Sequence, residues 1–226
     1  MSSNNFHFNE HQISENLIPF NSPSRRCYTN QNFTKSAILF LIMVEKAKPY
    51  DLILMRRTSR KGDKHAGEIC FPGGIIDQEK DKTLKHTALR ETKEELGVPP
   101  ENITLLGALN DHITPKFFII TPIVGYIKAS QKMIKEEREV EEIINIPINF
   151  FANKENYHER TYKLQGNDIA VGKYVFRPSP HKKFTIFGAT THIIVHYIET
   201  VYNLRLTAPG HRRICCDDLK HKSKSP

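Results

Sequence analysis

Residues 90–98 read Arg90-Glu91-Thr92-Lys93-Glu94-Glu95-Leu96-Gly97-Val98, and they form the most informative segment of this 226-residue chain. An apolar stripe at helical spacing runs into the segment and consists of Leu84, Ala88, Leu89 and Leu96. We therefore predict a helix over residues 83–96, which Gly97 ends and Pro99-Pro100 prevents from continuing. On this helix Glu91, Glu94 and Glu95 share one face, because they stand three and four positions apart.

The three crowded carboxylates indicate a divalent metal ion. They repel one another, and Arg90 can pair with Glu94 but neutralises only one charge. A hard cation with oxygen ligands would relieve the remaining repulsion. Mg²⁺ or Mn²⁺ is the natural choice, since Mg²⁺ in proteins often shares the phosphate oxygens of a substrate. A solvated acidic helix face is the alternative interpretation of the same spacing.

A Gly-Gly loop precedes this helix and carries the resemblance to a known family. Gly73 and Gly74 follow a short predicted strand, and a glycine carbonyl can approach a metal closely. Together with the helix, the loop resembles the Nudix box of the Nudix hydrolases, GX5EX7REUXEEXGU, where U is apolar. The matching residues are Gly74, Arg90, Glu91, Glu94, Glu95, Gly97 and Val98. The loop is two residues longer than the pattern, and Lys82 replaces its glutamate, for which Asp81 or Glu79 could substitute.

A second resemblance concerns residues 57–74. They are similar to the extended pattern of the coenzyme A diphosphatases, LLTXR(SA)X3RX3GX3FPGG, which ends here in Gly67-x3-Phe71-Pro72-Gly73-Gly74. The spacing from Arg57 to Gly67 is one residue longer than in that pattern, and Arg60, Lys61 and Lys64 are candidates for its second arginine. The similarity extends over roughly residues 36–205 and looks most like the animal mitochondrial branch.

This resemblance implies an α/β protein with the Nudix fold, an α/β/α sandwich with a mixed sheet. It also implies metal-dependent cleavage of the pyrophosphate of coenzyme A or acyl-coenzyme A, giving adenosine 3′,5′-bisphosphate and (acyl-)4′-phosphopantetheine. The metal ligands would be Glu91, Glu94, Glu95 and the carbonyl of Gly73, with Arg90 orienting the glutamates.

Further site residues are carried over with alternatives left open. Glu139 is the candidate for an additional catalytic carboxylate and Glu142 is second, although both could belong to a solvated charged helix face. Arg57, Arg60, Lys64 and Gly74 are candidates for substrate binding. An ordinary basic surface loop is the other interpretation of these cations.

Composition limits the class of protein and its partners. The net charge of +8 favours an anionic partner, and four cysteines without a CxxC pair make a disulfide scaffold unlikely. We expect a small-molecule nucleotide substrate, with nucleic acid a weaker candidate and no membrane partner, since no apolar run could span a bilayer. The alternative functions are hydrolysis of another nucleoside diphosphate such as ADP-ribose, or a non-catalytic module that binds nucleotide or RNA. The sequence does not fix the oligomeric state.

We expect three regions along the chain: a poorly ordered leader over residues 1–34, a Nudix domain over 35–206 and a basic polar tail over 207–226. Residues 136–151 are predicted to be helical or mixed, and a last helix is predicted over 188–204. The family resemblance points to mitochondria. The leader, however, has Glu10 and Glu15 and no Lys or Arg before Arg25, which is atypical of a presequence, and the chain's Ser-Lys-Ser-Pro end is not a peroxisomal signal.

Overall fold

The computed structural model describes residues 6–29, 31–59, 67–164 and 166–219. Its strands are β1 (Thr34–Val44), β2 (Asp51–Arg57), β3 (Ile69–Cys70), β4 (Gly73–Ile75), β5 (Thr104–Ala108), β6 (His112–Ile113), β7 (Phe118–Lys128), β8 (Val140–Pro147), β9 (Tyr157–Leu164), β10 (Asn167–Ser179) and β11 (Lys182–Phe187). Its α-helices are α1 (Glu10–Asn16), α2 (Leu84–Leu96), α3 (Ile148–Ala152) and α4 (Ala189–Tyr202). Within the described ranges, no helix is long and apolar enough to cross a bilayer.

The main sheet is mixed. Its central path runs β3-β2-β1-β7-β5, with β4 paired to β1, β6 to β7 and β8 to β2. Strands β1 and β7 run parallel, with Leu39 opposite Ile123, whereas the other pairs are antiparallel. Strands β9, β10 and β11 form a separate antiparallel sheet.

Two apolar layers cover the main sheet. Alternate residues of β1 face opposite sides, because side chains of a strand have a period of two. Phe40 and Ile42 belong to the core that contains α4, whereas Leu39 and Leu41 belong to the core that contains the buried face of α2. The predicted α/β/α sandwich with a mixed sheet is therefore confirmed.

Of the two alternatives for residues 136–151, the helical one is wrong over most of the segment and the mixed one holds. The segment forms β8, which pairs with β2 so that Ile146 lies opposite Leu52, and only the short α3 after it is helical. Val140, Ile144 and Ile146 are buried. Burial of these apolar side chains against β2 outweighs the helix propensity of the glutamates before and between them.

The segments at both ends of the domain are more structured than the sequence suggested. Asn9 caps α1 by accepting the N–H of Gln12 at 3.0 Å, and Ile13 is 1% exposed in the core. The expectation of a poorly ordered leader is thus wrong for residues 9–18. Near the other end, the carbonyl of Arg212 accepts the N–H of Ala170 at 2.9 Å, and Leu219 is buried. The tail therefore packs on the domain as far as residue 219, where the description ends.

Candidate active site

Helix α2 carries the acidic residues and is delimited as predicted. The hydroxyl of Thr83 accepts the N–H of His86 at 3.3 Å and caps the first turn. Gly97 ends the helix in the left-handed conformation, with φ of 66°, and donates its N–H to the carbonyl of Lys93. Ala88 and Leu96 are buried in the core. Burial of this stripe fixes the rotation of the helix, so the acidic face is turned toward β4.

The two glycines of β4 lie directly against that face. A Cβ on Gly73, whose φ is 151°, would lie 2.4 Å from the carbonyl oxygen of Ala37, so no other residue fits. The amide of Gly73 donates to Oε2 of Glu95 at 2.9 Å. A Cβ on Gly74 would lie 2.4 Å from Oε1 of Glu91. The Gly-Gly pair therefore allows β4 to contact two of the predicted metal ligands.

Burial and mutual repulsion raise the pKa values of these two glutamates. Glu95 is 2% exposed, and desolvation raises its pKa to about 8, opposed by the Gly73 amide and the charge of Arg57. Desolvation also raises the pKa of Glu91, opposed by Arg90. The charge of Glu139 contributes to the increase at both sites. Full ionisation of both carboxylates would therefore require more positive charge than Arg90 and Arg57 supply.

Arg90 is the centre of the local ion pairs. Its Nε and Nη2 donate to the two carboxylate oxygens of Asp81 at 3.0 and 2.8 Å. Its Nη1 lies 2.8 Å from Glu91 Oε1 and 2.9 Å from Glu94 Oε2. The predicted pairing of Arg90 with Glu94 is present, and Arg90 also contacts Glu91.

Asp81 resolves an alternative that the sequence left open. Of the two acids that could replace the missing loop glutamate, Asp81 binds Arg90, whereas Glu79 is exposed. The Asp81 side chain is 1% exposed, and its hydrogen bonds to Arg90 lower its pKa. Sequence reasoning did not choose between the two acids, because the longer loop shifts their register relative to the pattern.

The carboxylate oxygens of Glu91, Glu94 and Glu95 are suitable ligands for a hard divalent cation, but the three side chains do not converge on one point. Among the described residues, no group of three or more acidic, histidine or cysteine side chains has the geometry of a metal site. Arg90 holds Glu91 and Glu94, whose side chain is 53% exposed, while Glu95 points to Gly73. A buried carboxylate with a single amide donor, next to two further carboxylates, is suited to Mg²⁺ or Mn²⁺.

The other carboxylates predicted for the site lie near the start of β8. Glu139 is exposed, its carbonyl accepts the N–H of Thr58 at 3.0 Å, and the neighbouring Glu136 amide donates to the Glu95 carbonyl at 2.9 Å. This places Glu139 beside the acidic face of α2. Glu142, the second candidate, is paired with Lys182 and is therefore engaged elsewhere.

Of the cations predicted to bind substrate, the structure describes only Arg57. Arg57 is half-buried at the end of β2, and its charge acts on Glu95, so it lies at the site. The neighbouring Arg56 stacks on Phe184, with 5.0 Å between its Cζ and the ring centroid, and pairs with Glu141 at 3.2 Å, so it is engaged away from the site. Arg60 and Lys64 lie outside the described residues.

Comparisons with known proteins concern the chain as a whole and give a family match. The family model described as the NUDIX domain matches residues 33–164. An "uncharacterized Nudix hydrolase NudL" of Photorhabdus laumondii is 30% identical over 73% of this chain and 83% of its own length. The NudL of Pectobacterium atrosepticum is 40% identical over 44% of this chain, and the match spans only 52% of that protein.

Two further similarities are more distant. The "peroxisomal coenzyme A diphosphatase NUDT7" of Mus musculus is 26% identical over 74% of this chain and 70% of its own length. The solved structure of a MutT/nudix family protein from Enterococcus faecalis has a TM-score of 0.47 at 17% identity, covering 79% of this chain and 66% of that one. With the family model matching more than half of the chain, this protein belongs to the Nudix hydrolases.

Proposed function

We propose that this Nudix pyrophosphohydrolase cleaves coenzyme A or acyl-coenzyme A, with Mg²⁺ or Mn²⁺, to adenosine 3′,5′-bisphosphate and (acyl-)4′-phosphopantetheine. The observation that carries the proposal is the contact of Gly73 and Gly74 with Glu95 and Glu91, at the end of the coenzyme A diphosphatase-like segment over residues 57–74. The similarity to the mouse protein named a coenzyme A diphosphatase supports the same substrate class.

Each group of the site has a role in this proposal. Glu91, Glu94 and Glu95 would hold the metal, which supplies stabilisation of the negative charge developing on the phosphate oxygens. A ligand role for the carbonyl of Gly73 remains a prediction, since its observed contact with the acidic face is through the amide. Arg90, fixed by Asp81, orients Glu91 and Glu94.

Hydrolysis also requires a proton acceptor. Glu139 lies beside the acidic face and is accessible to solvent, so we assign it this role. Water oxygen bonds to one phosphorus of the pyrophosphate while its proton passes to Glu139. The bond from that phosphorus to the bridging oxygen breaks, and the electron pair leaves on the second phosphate. Both products are then phosphate monoesters.

Arg57 is proposed to bind the 3′-phosphate that distinguishes coenzyme A from its dephospho form. Guanidinium groups bind phosphate through paired hydrogen bonds. Comparing Arg57→Ala on coenzyme A and on dephospho-coenzyme A tests this role. An increase in KM confined to coenzyme A supports it. An equal loss of kcat/KM on both substrates would mean that Arg57 acts through Glu95 instead.

The substrate is tested by product analysis. Purified protein is incubated with coenzyme A, acetyl-coenzyme A or ADP-ribose, with Mg²⁺ or Mn²⁺ and with a chelator as control. We expect adenosine 3′,5′-bisphosphate from the first two substrates only when metal is present. A higher kcat/KM for ADP-ribose would reject coenzyme A and leave the family assignment intact.

The metal ligands are tested with matched variants. Glu94→Gln and Glu95→Gln remove a charge that metal binding needs, and we expect kcat to fall about 10²–10⁴-fold. Glu79→Gln, an exposed acid in the preceding loop, is the control and should retain full activity. The mitochondrial location suggested by the resemblance is a separate proposal, tested by fractionating cells that produce the full chain.

A further inference from the structure

An open cleft lies on the α4 side of the main sheet. It has a volume of about 570 Å³ and is lined by Arg26, Arg205, Arg212 and Arg213, together with Tyr28 and Glu199; we name it the arginine cleft. Its size is within the range of small-molecule sites. The residues of α4 pack in one core and those of α2 in the other, so the cleft is separate from the acidic site.

One wall of the arginine cleft is rigidly attached to the domain. Arg212 donates to Asp218 through both terminal nitrogens, at 2.7 and 2.6 Å, and Asp218 also accepts the N–H of Cys215 at 2.8 Å. The Asp218 side chain is 2% exposed. Since the carbonyl of Arg212 also binds Ala170 in β10, this wall is formed without any ligand.

The other walls are held in a similar way. Glu199 accepts Nη2 of Arg213 at 3.1 Å and the N–H of Thr207 at 3.0 Å, which ties the segment after α4 to the helix. On the opposite side, the N–H of Arg26 donates to Oδ1 of Asn110 at 2.7 Å, and its carbonyl accepts the N–H of Asp111 at 3.0 Å. The backbone positions that present the cationic side chains are therefore fixed.

Charge balance distinguishes two of the four arginines. Arg212 and Arg213 are neutralised by Asp218 and Glu199. Arg26 and Arg205 are exposed, and across the described parts of the chain neither forms an ion pair with a carboxylate. The cleft thus presents two uncompensated positive charges on pre-formed walls, next to the aromatic ring of Tyr28.

We propose that the arginine cleft is a binding site for a phosphate dianion, either free or as a monoester, with Arg26 and Arg205 as its direct ligands. Two guanidinium groups match the double negative charge of a phosphate monoester and can donate paired hydrogen bonds to its oxygens. The ring of Tyr28 provides a flat surface for the organic part of an ester such as a nucleoside monophosphate. This inference is independent of the substrate proposed for the acidic site.

The test is calorimetric titration in the presence of a chelator, with inorganic phosphate, adenosine 5′-monophosphate and adenosine as probes. We expect both phosphate probes to bind and adenosine not to bind. Tighter binding of the nucleotide identifies an ester ligand, whereas equal binding identifies free phosphate, and both support a phosphate site. The double variant Arg26→Ala/Arg205→Ala should weaken binding at least tenfold, and the single variants Arg26→Gln and Arg205→Gln at least threefold.

Two control variants make the test specific. Arg160→Ala/Arg177→Ala removes the same charge from exposed positions on β9 and β10 and should keep wild-type affinity. Equal weakening in both double variants would overturn the proposal in favour of non-specific attraction. Arg57→Ala, which removes the candidate phosphate ligand of the acidic site, should also bind as the wild type does, and loss of binding there would place the ligand at the acidic site. The proposal would also be overturned if neither phosphate probe bound the wild type, or if adenosine bound as tightly as adenosine 5′-monophosphate.

Discussion

Replacing Asp81 by asparagine should destabilise the fold by about 2–3 kcal/mol. The carboxylate accepts Arg90 Nε at 3.0 Å, Arg90 Nη2 at 2.8 Å and the N–H of Asp77 at 3.0 Å. Asparagine has one acceptor oxygen, so at least one of these donors loses its partner and faces an NH₂ group. A hydrogen bond to a charged group contributes about 1.5–3 kcal/mol, and an orphaned buried donor adds a desolvation cost.

The free energy of unfolding is measured by urea denaturation in a chelator, and the slope against urea should not change. Glu79→Gln is the matched control, because Glu79 is exposed in the same loop, and should change stability by less than about 0.5 kcal/mol. A loss of similar size in both variants would refute the assigned role of Asp81.

The pH dependence provides an independent check. The hydrogen bonds with Arg90 lower the pKa of Asp81 in the folded protein. The contribution of the ionised Asp81 to stability is therefore complete above its pKa in the unfolded chain, about 3.9, and is lost at lower pH. The difference between wild type and Asp81→Asn should stay constant from about pH 5 to 8 and shrink below about pH 4. A difference that grows on acidification would contradict this explanation.

Three further predictions concern the glycine pair, the first helix and the buried histidines. Gly73→Ala should lower the free energy of unfolding by about 3–5 kcal/mol, because the added Cβ meets backbone atoms at a residue with positive φ. Gly74→Ala should retain the fold but lower kcat about 10–100-fold, because its Cβ displaces the side chain of Glu91. Equal stability losses, measured by urea denaturation, would refute this distinction. Ile13→Ala should destabilise the protein by about 2–5 kcal/mol in the same assay, because α1 packs Ile13 into the core. An unchanged free energy of unfolding would show that α1 does not contribute to the core. Burial lowers the pKa values of His192 and His196 to about 4, so stability should fall as pH decreases from about 6.5 toward 4, and His192→Gln/His196→Gln should flatten that profile. An unchanged profile in the double variant would assign the pH dependence to other groups.

Local sequence signals were sufficient where one segment makes its own structure. The apolar stripe of α2 and the stop at Gly97 predicted that helix to within one residue of its start. The acidic face followed from spacing, whereas the position of the Gly-Gly loop beside it was implied by the resemblance to the Nudix box. Each of these features depends on residues that are close together in the sequence.

Predictions failed where distant packing determines the outcome. The glutamates around Val140 favoured a helix, but pairing with β2 makes this segment a strand. The alternation of apolar Ile144 and Ile146 with polar Asn145 was the available signal. The arginine cleft could not be predicted at all, because Arg26 and Arg205 are brought together only by the folded chain.

The family match over residues 33–164 ends before β10, β11 and α4. Those elements supply the layer that covers Phe40 and Ile42. A recombinant fragment trimmed to the matched boundaries would therefore expose an apolar surface to water and tend to self-associate. Laboratories wishing to produce a short version of this enzyme should retain the chain from the first helix to Leu219, even though neither end carries the acidic residues of the active site.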